Sequence, residues 1–408
     1  MNENHSNWIC FQIGAREHYA IPRALHEQEK LAHLVTDAWV MPKSMLNFLP
    51  KSLLTNLRER FHPKLASASI SGFNNYLIRF EIKHKINKKS DWEIIIARNK
   101  WFQEQSIRIL EKLSPQLSSS ITLFAYSYAA LDLFKFAKKQ GWQTILGQID
   151  PGIYEEQLVK QEGGLYPEYT SSWQLTPTSY WANWRQECTL ADRIVVNSDW
   201  SSQALQKTGI ATDKIKIVPL AYQPPEAVTN FTRVYPRSFS KDRPLRVLFL
   251  GQIILRKGVA RIFKAIELLK NDAIEFWFIG AVGINLPQEI KNNQKIKWFS
   301  AVSRSTTAHY YQQADVFLFP TLSDGFGLTQ LEAQAWKLPI IASKFCGEVV
   351  KDKINGLILP EVTGEAIAKS ILLCLNNRDL LSKFSQESFQ VLPNFSLSEL
   401  GKQLKLLN

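Results

Sequence analysis

The sequence predicts an α/β protein of two domains, each built on a parallel sheet. Three observations carry that expectation. From residue 120 onward, short apolar runs alternate with helix-length segments, the pattern of parallel strands crossed over by helices. The alternation stops at residues 223–244, which are rich in proline and polar residues and lack periodicity, as a linker would be. It begins again at residue 246. The length of 408 residues exceeds what one core usually supports, so two domains of about 200 are expected.

Composition narrows the class. The start, MNENHSNWIC, lacks the apolar stretch of a secretory signal, and no run approaches the roughly 20 apolar residues of a membrane span. Cys10, Cys188, Cys346 and Cys374 are scattered without metal-ligand spacing, which reads as reduced thiols in a cytoplasmic protein with no metal site. The net charge of +12 suits anionic substrates, an anionic membrane surface or nucleic acid. Nucleic acid ranks last, because no zinc-finger, RNP or basic-zipper pattern is present.

In chain order, residues 8–13 form an apolar strand that runs into Gly14 and a helix. The turn is not a full dinucleotide fingerprint, so a nicotinamide cofactor is a weak reading. Arg16 and His18 stand at the strand's carboxyl end, either facing a cleft or in a solvated loop. Residues 31–36 read as the second strand. Residues 43–65 read as a basic amphipathic helix, with Leu49, Leu53, Leu54, Leu57 and Phe61 at helical spacing beside Lys51, Arg58, Arg60 and Lys64. Such a helix lies on a membrane surface or packs on the core with a solvated basic side. Residues 83–100, basic around Trp92, leave the same choice. Strand 121–126, helix 129–140 and strand 144–149 follow, then a long polar loop over 155–172 and a helix over 180–191. Strand 194–197, helix 199–207 and strand 215–219 close the half.

The second half alternates strand 246–250, helix 260–269, strand 275–279, strand 296–301, helix 303–313, strand 316–319, helix 328–336 and strand 339–342. Two of its turns carry chemistry. Gly325 and Gly327 let backbone approach a ligand closely, and the amides of residues 325–329 open a helix, where N–H groups are free to meet an anion or sugar oxygens. Asp324 and Glu332 flank those amides, which suits a polyhydroxyl ligand carrying phosphate. The plainer alternative is a helix-start turn capped by Asp324, with Glu332 solvated. In GQIILRKG, Arg256 and Lys257 precede a helix and suit a diphosphate, or form a solvated turn.

Asp324, Gly325, Phe326, Gly327, Leu328, Leu331, Glu332, Ala333 and Pro339 resemble the signature of family 4 retaining glycosyltransferases (glycosyl transferases group 1). The family usually has Glu where this chain has Asp324, and often Gly at Lys337. Gly251, Lys257 and Gly258 resemble the family's earlier turn, with Gln252 in place of its common Arg. Gly347, Glu348, Asn355 and Gly356 resemble its closing segment. The resemblance covers residues 246–360 strongly, 121–222 moderately and 1–118 in layout alone.

The resemblance implies the GT-B fold: two Rossmann-like, doubly wound domains facing across a cleft. The acceptor-side domain would be 1–222 joined by helix 381–408, the linker 223–244, and the donor-binding domain 245–380. It implies metal-independent transfer of a hexose, with retention, from a UDP- or GDP-linked sugar to a glycan or lipid-linked acceptor, with no further cofactor. Glu332 would bind ribose hydroxyls, and Asp324 with the amides of Gly325, Phe326, Gly327 and Leu328 would hold the hexose. Arg256, Lys257 and the Thr329 amide would take the diphosphate, and Arg304 would lie near the nucleobase. Many members carry a His after the strand matching 144–149; this chain has Gln148 and Asp150. Asp150 would orient or deprotonate the acceptor, or else cap the turn at Pro151 and Gly152. That departure leaves a second reading, a non-catalytic nucleotide-sugar-binding partner in polysaccharide assembly. The expected location is the cytoplasm, on the inner face of a membrane where the basic segments meet anionic lipid.

Overall fold

Each half of the chain folds around one all-parallel sheet. The computed structural model describes residues 7–48, 57, 60–86, 90–117, 120–170 and 175–407. The first sheet contains β1 (Asn7–Gln12), β2 (Leu31–Thr36), β3 (Ile70–Gly72), β4 (Ile121–Tyr126), β5 (Gln143–Gly147), β6 (Arg193–Val196) and β7 (Ile215–Ile217). Their order is β3-β2-β1-β4-β5-β6-β7. The second contains β8 (Leu245–Leu250), β9 (Ile274–Ile279), β10 (Ile296–Phe299), β11 (Val316–Phe319), β12 (Ile340–Ala342) and β13 (Gly356–Ile358), in the order β10-β9-β8-β11-β12-β13. Strand order reverses between β1 and β4 and between β8 and β11, and such sheets bind ligands at the carboxyl ends of the strands beside that reversal. Both sheets are covered on two faces, so β4 and β11 are buried at every residue and read as unbroken apolar runs.

The stretch expected as a polar loop over 155–172 is a helix, Ile153–Leu165, followed by a 3-10 turn, Pro167–Tyr169. It carries no continuous apolar stripe because it docks through charge. Arg261 grips the buried Glu162 with two hydrogen bonds of 2.9 and 2.6 Å. Tyr169 then enters the core of the second half, 5.4 Å from the Phe263 ring, and its carbonyl accepts from the Asn285 amide at 3.1 Å. This element from the first half therefore fastens the two sheets together.

The expected basic helix over 43–65 is seen only as short 3-10 turns, Met45–Phe48 and Pro63–Leu65; Leu49, Lys51, Leu53, Leu54 and Arg58 lie outside the described residues. Arg60 is no solvated cation. It lies 3.3 Å from Asp37 and packs against Gly14. The basic stretch around Trp92 belongs to two helices, Asn74–Ile86 and Asp91–Leu113, the second started by a Ser90–Glu93 capping box. Among the described residues no helix is long and apolar enough to cross a membrane. All four cysteines are free and buried.

The chain ends on the first sheet. Leu400, Leu404 and Leu407, in and just after helix Leu397–Lys405, pack with Trp8, Ala20 and Leu25. In the segment before β8, Arg233 donates to the carbonyls of Tyr311, Trp336 and Lys337 at 2.6–2.9 Å. Those carbonyls end helices Arg304–Gln313 and Leu328–Ala335, where a cation is favoured.

Candidate active site

The second sheet supplies two turns at its strand reversal. The turn after β8 ends in Gly258, whose φ of +73° favours glycine and where a Cβ would collide with the Pro320 carbonyl at the end of β11. That close approach presses Arg256 and Lys257 onto the turn after β11. Leu322 donates its amide to the Arg256 carbonyl at 2.9 Å. Lys257 Nζ pairs with Asp324 and lies 5.0 Å from the Phe319 ring centroid. Arg256 Nη1 donates to the Ser323 carbonyl at 2.7 Å and stands 3.8 Å from Asp324, while its Nε stands 3.5 Å from Glu155. Burial works to raise the Asp324 pKa, but Lys257 and Arg256 outweigh it and hold the carboxyl below its ordinary value.

The Asp324 turn runs through Gly327, at φ +84°, into helix Leu328–Ala335. Leu328 and Thr329 lie in its first turn, where amides have no intrahelical partner. Phe326 contributes differently from expectation. Its amide supports the Asp324 carboxylate, and its buried ring packs against Gly347 and Phe395, away from any ligand. Glu332 is held by the Tyr311 hydroxyl at 2.8 Å. With Leu328, Thr307, His18 and Arg23 it lines a cavity of about 730 Å³. His62 borders it too; burial and the charges of Arg23, His18 and Lys64 push its pKa down to about 4. Arg304 begins helix Arg304–Gln313, and its side chain is outside the described set; that helix lines the cavity with Thr307, Ala308, Tyr311 and Gln312. Gly14 turns at φ +83°, and Glu17, His18 and Tyr19 follow in the left-handed region at φ 52°, 52° and 60°. Three such residues in a row mark strained backbone beside the cavity. The Arg16 guanidinium covers the Tyr126 ring at 5.2 Å.

The first sheet closes the other side. Asp150 accepts from the Tyr128 hydroxyl at 2.5 Å, the Gly152 amide at 2.9 Å and Gln148 Nε2 at 3.2 Å. It therefore caps its own turn and fixes Tyr128, although it also borders a second cavity with Arg256. Gln148 is fixed in turn by Trp184, whose indole donates to it at 2.9 Å. The Ser198 and Ser201 hydroxyls donate to the Gly325 carbonyl at 2.8 and 3.2 Å. A Cβ on Gly325 would stand 2.7 Å from the Ile149 carbonyl oxygen, so only glycine allows this approach. Glu348 reaches over to the Asp199 amide at 3.0 Å, at the start of helix Asp199–Lys207.

Glu155 is a buried residue beside Arg256 that sequence reasoning missed. It accepts from the Ser323 hydroxyl at 2.8 Å, which in turn accepts from the Trp200 indole at 3.0 Å. Burial pushes its pKa up to about 7, against Arg256 and with help from Asp150 and Asp324. The position just past β5, at a strand's carboxyl end, is the signal that could have marked it.

The structure thus brings Arg256, Lys257, Asp324 and Asp150 to one place, adds Glu155, and leaves Glu332 and Leu328 on an adjoining cavity. Among the described residues no group of three or more His, Cys, Asp or Glu side chains is placed to hold a metal ion.

Comparison with known proteins agrees with this fold. Residues 232–391 match the family described as glycosyl transferases group 1. A Klebsiella pneumoniae protein named "Uncharacterized 41.2 kDa protein in cps region" is 24% identical over 172 residues, 41% of this chain and 48% of that protein. The D-inositol 3-phosphate glycosyltransferase of Xylanimonas cellulosilytica is 27% identical over 193 residues, 43% of this chain and 46% of the relative. The chain thus spans about half the length of these curated relatives. Among solved structures, Anabaena Alr3699/HepE in complex with UDP superposes with a TM-score of 0.58 at 13% identity, covering 98% of this chain and 99% of that one. The two parallel sheets and such neighbours make the architecture GT-B, and residues 232–391 match the glycosyl transferases group 1 family.

Proposed function

We propose that the protein is a retaining glycosyltransferase that moves a hexose from a nucleoside diphosphate sugar to a glycan or lipid-linked acceptor. One observation carries this reading: Arg256 and Lys257 are held by carboxylates where the two halves meet, with Arg256, Asp150 and Glu155 on one cavity and Glu332, from the helix that follows the Asp324 turn, on another. The glycosyl transferases group 1 domain supports the reaction class, and the UDP in the Anabaena complex makes UDP the first nucleotide to try, with GDP next.

In this account Glu332 takes the ribose hydroxyls, and the diphosphate takes Arg256 and Lys257 from their carboxylate partners. Asp324 and the amides of Gly325, Gly327 and Leu328 hold the hexose, the Phe326 amide being taken by Asp324, and the Thr329 amide meets phosphate. As the bond from the anomeric carbon to the diphosphate breaks, negative charge builds on the leaving oxygen. Two cations fixed beside it stabilise that charge, the task a metal performs elsewhere. The acceptor oxygen bonds to the anomeric carbon from the same face. Its proton passes to the leaving phosphate or to Glu155, which is placed closer to this task than the tied-down Asp150. The charge of +12 supports a protein that rests on an anionic membrane surface.

The test is incubation with UDP- and GDP-sugars in chelator, reading nucleoside diphosphate release and the anomeric configuration of the product. Release with retention in chelator is expected; inversion, or dependence on added metal, contradicts the mechanism. Gln148, which offers no titratable proton where the resemblance implies a His, favours a second reading of nucleotide-sugar binding without turnover. Saturable binding with no release would support that reading instead.

A further inference from the structure

The second cavity, about 600 Å³, lies between the two halves. Helices Ile153–Leu165 and Thr178–Leu190 wall it on one side, and the segments after β8 and β9 on the other. Val159, Tyr180, Trp181, Ile254, Leu255 and Ile284 contribute most of its apolar wall. Arg256, Asp150 and Glu155 cluster together on its lining. We infer that this cavity takes the apolar part of the acceptor, a lipid-type chain whose reacting hydroxyl or sugar faces Arg256.

Several of the wall's polar atoms are committed to each other, and Lys160 adds a cation to the lining. The Trp181 indole donates to Glu156 at 2.8 Å, and the other Glu156 oxygen accepts from the Thr176 amide at 3.0 Å. The Thr170 hydroxyl lies 3.1 Å from the Gly163 carbonyl, and the Tyr128 hydroxyl is given to Asp150. A sugar ring carries several hydroxyls, and each left without a partner weakens binding. The aromatic rings do not form an open stacking platform either. Tyr180 stacks on Tyr128 at 4.7 Å and meets the edges of Trp92 and Trp181. Carbon surface remains, and it suits carbon. A cluster of charge beside carbon surface matches a molecule with a polar head and an apolar tail.

This inference rests on the transfer reading, so the experiment separates the two. Methyl, butyl, hexyl and octyl β-D-glucopyranosides, kept below micelle-forming concentrations, are titrated while following tryptophan fluorescence, with maltose as the glycan probe. UDP stabilisation of the same samples is measured by thermal melting. Affinity is expected to rise about two- to fourfold per methylene. The rise is expected to vanish in Val159→Asp and Ile284→Asp, either of which suffices if the other fails to fold, while UDP still stabilises the variant. Binding independent of chain length, tighter binding of maltose, or an unchanged chain-length series in a UDP-binding variant would overturn the inference. Chain-length-dependent binding without any nucleotide response would keep the cavity assignment and sink the transferase reading instead.

Discussion

The two sides of the cleft share a strand order and differ in how they are built. The second sheet makes its side from two neighbouring turns, those after β8 and β11, locked together by the contact of Gly258 with Pro320. The first sheet gathers its side from separate elements: Tyr128 after β4, Asp150 and Glu155 after β5, Ser198 after β6. A site made of adjacent turns is damaged locally, through charge. A site made of dispersed elements depends on how they dock, so damage at a distant latch reaches it. Substitutions on the two sides should therefore fail in different ways.

The largest effect is expected at Lys257. Lys257→Ala should lower transfer by about two to four powers of ten with the fold intact, because a cation beside the leaving diphosphate is lost. A wild-type rate would mean that Arg256 alone suffices. On the other side, Arg261→Ala leaves the buried Glu162 without its bidentate partner. Denaturant unfolding should show a loss of about 3–5 kcal/mol, and an unchanged midpoint would refute the latch. Glu332→Ala should weaken nucleotide affinity about ten- to hundredfold, the worth of hydrogen bonds to a charged group; calorimetry measures it.

The smallest effect belongs to Glu155. Its pKa in the fold is raised to about 7, so between the ordinary carboxyl range and pH 7 the folded protein keeps a proton that the unfolded chain has lost. Its contribution to stability is therefore present at low pH and is lost as pH rises through about 7. Glu155→Gln should reduce the fall in stability between pH 5 and pH 8 by on the order of 1 kcal/mol relative to wild type. An identical pH profile would remove Glu155 from the ionising groups of the cleft.

What the sequence made legible follows the same division. Arg256, Lys257, Asp324 and Glu332 lie in short segments whose strand-turn-helix pattern is local, so spacing together with the family resemblance brought them forward. Phe326 sits in the same motif, yet its ring turns to the core, because Gly347 leaves the space it fills. Glu155 was hidden in IYEEQLVKQEGGL, where no apolar stripe announces a helix and the paired glycines Gly163 and Gly164 suggest a loop. Its anchors, Arg261 and the core around Phe263, lie far along the chain. Arg60 looked like part of a solvated basic face; Asp37, brought beside it by the sheet, makes it an inward cation.

The central claim is that Glu332, Arg256 and Lys257 together receive a nucleoside diphosphate. Thermal melting of the wild type, Glu332→Ala and Lys257→Ala in chelator with UDP, GDP, ADP and their common sugars tests it most directly, since a ligand of the folded state raises its stability with concentration. The account predicts a clear rise with one nucleotide family in the wild type and a much smaller one in both variants. No rise with any nucleotide in folded wild-type protein, or an equal rise in all three proteins, would contradict it.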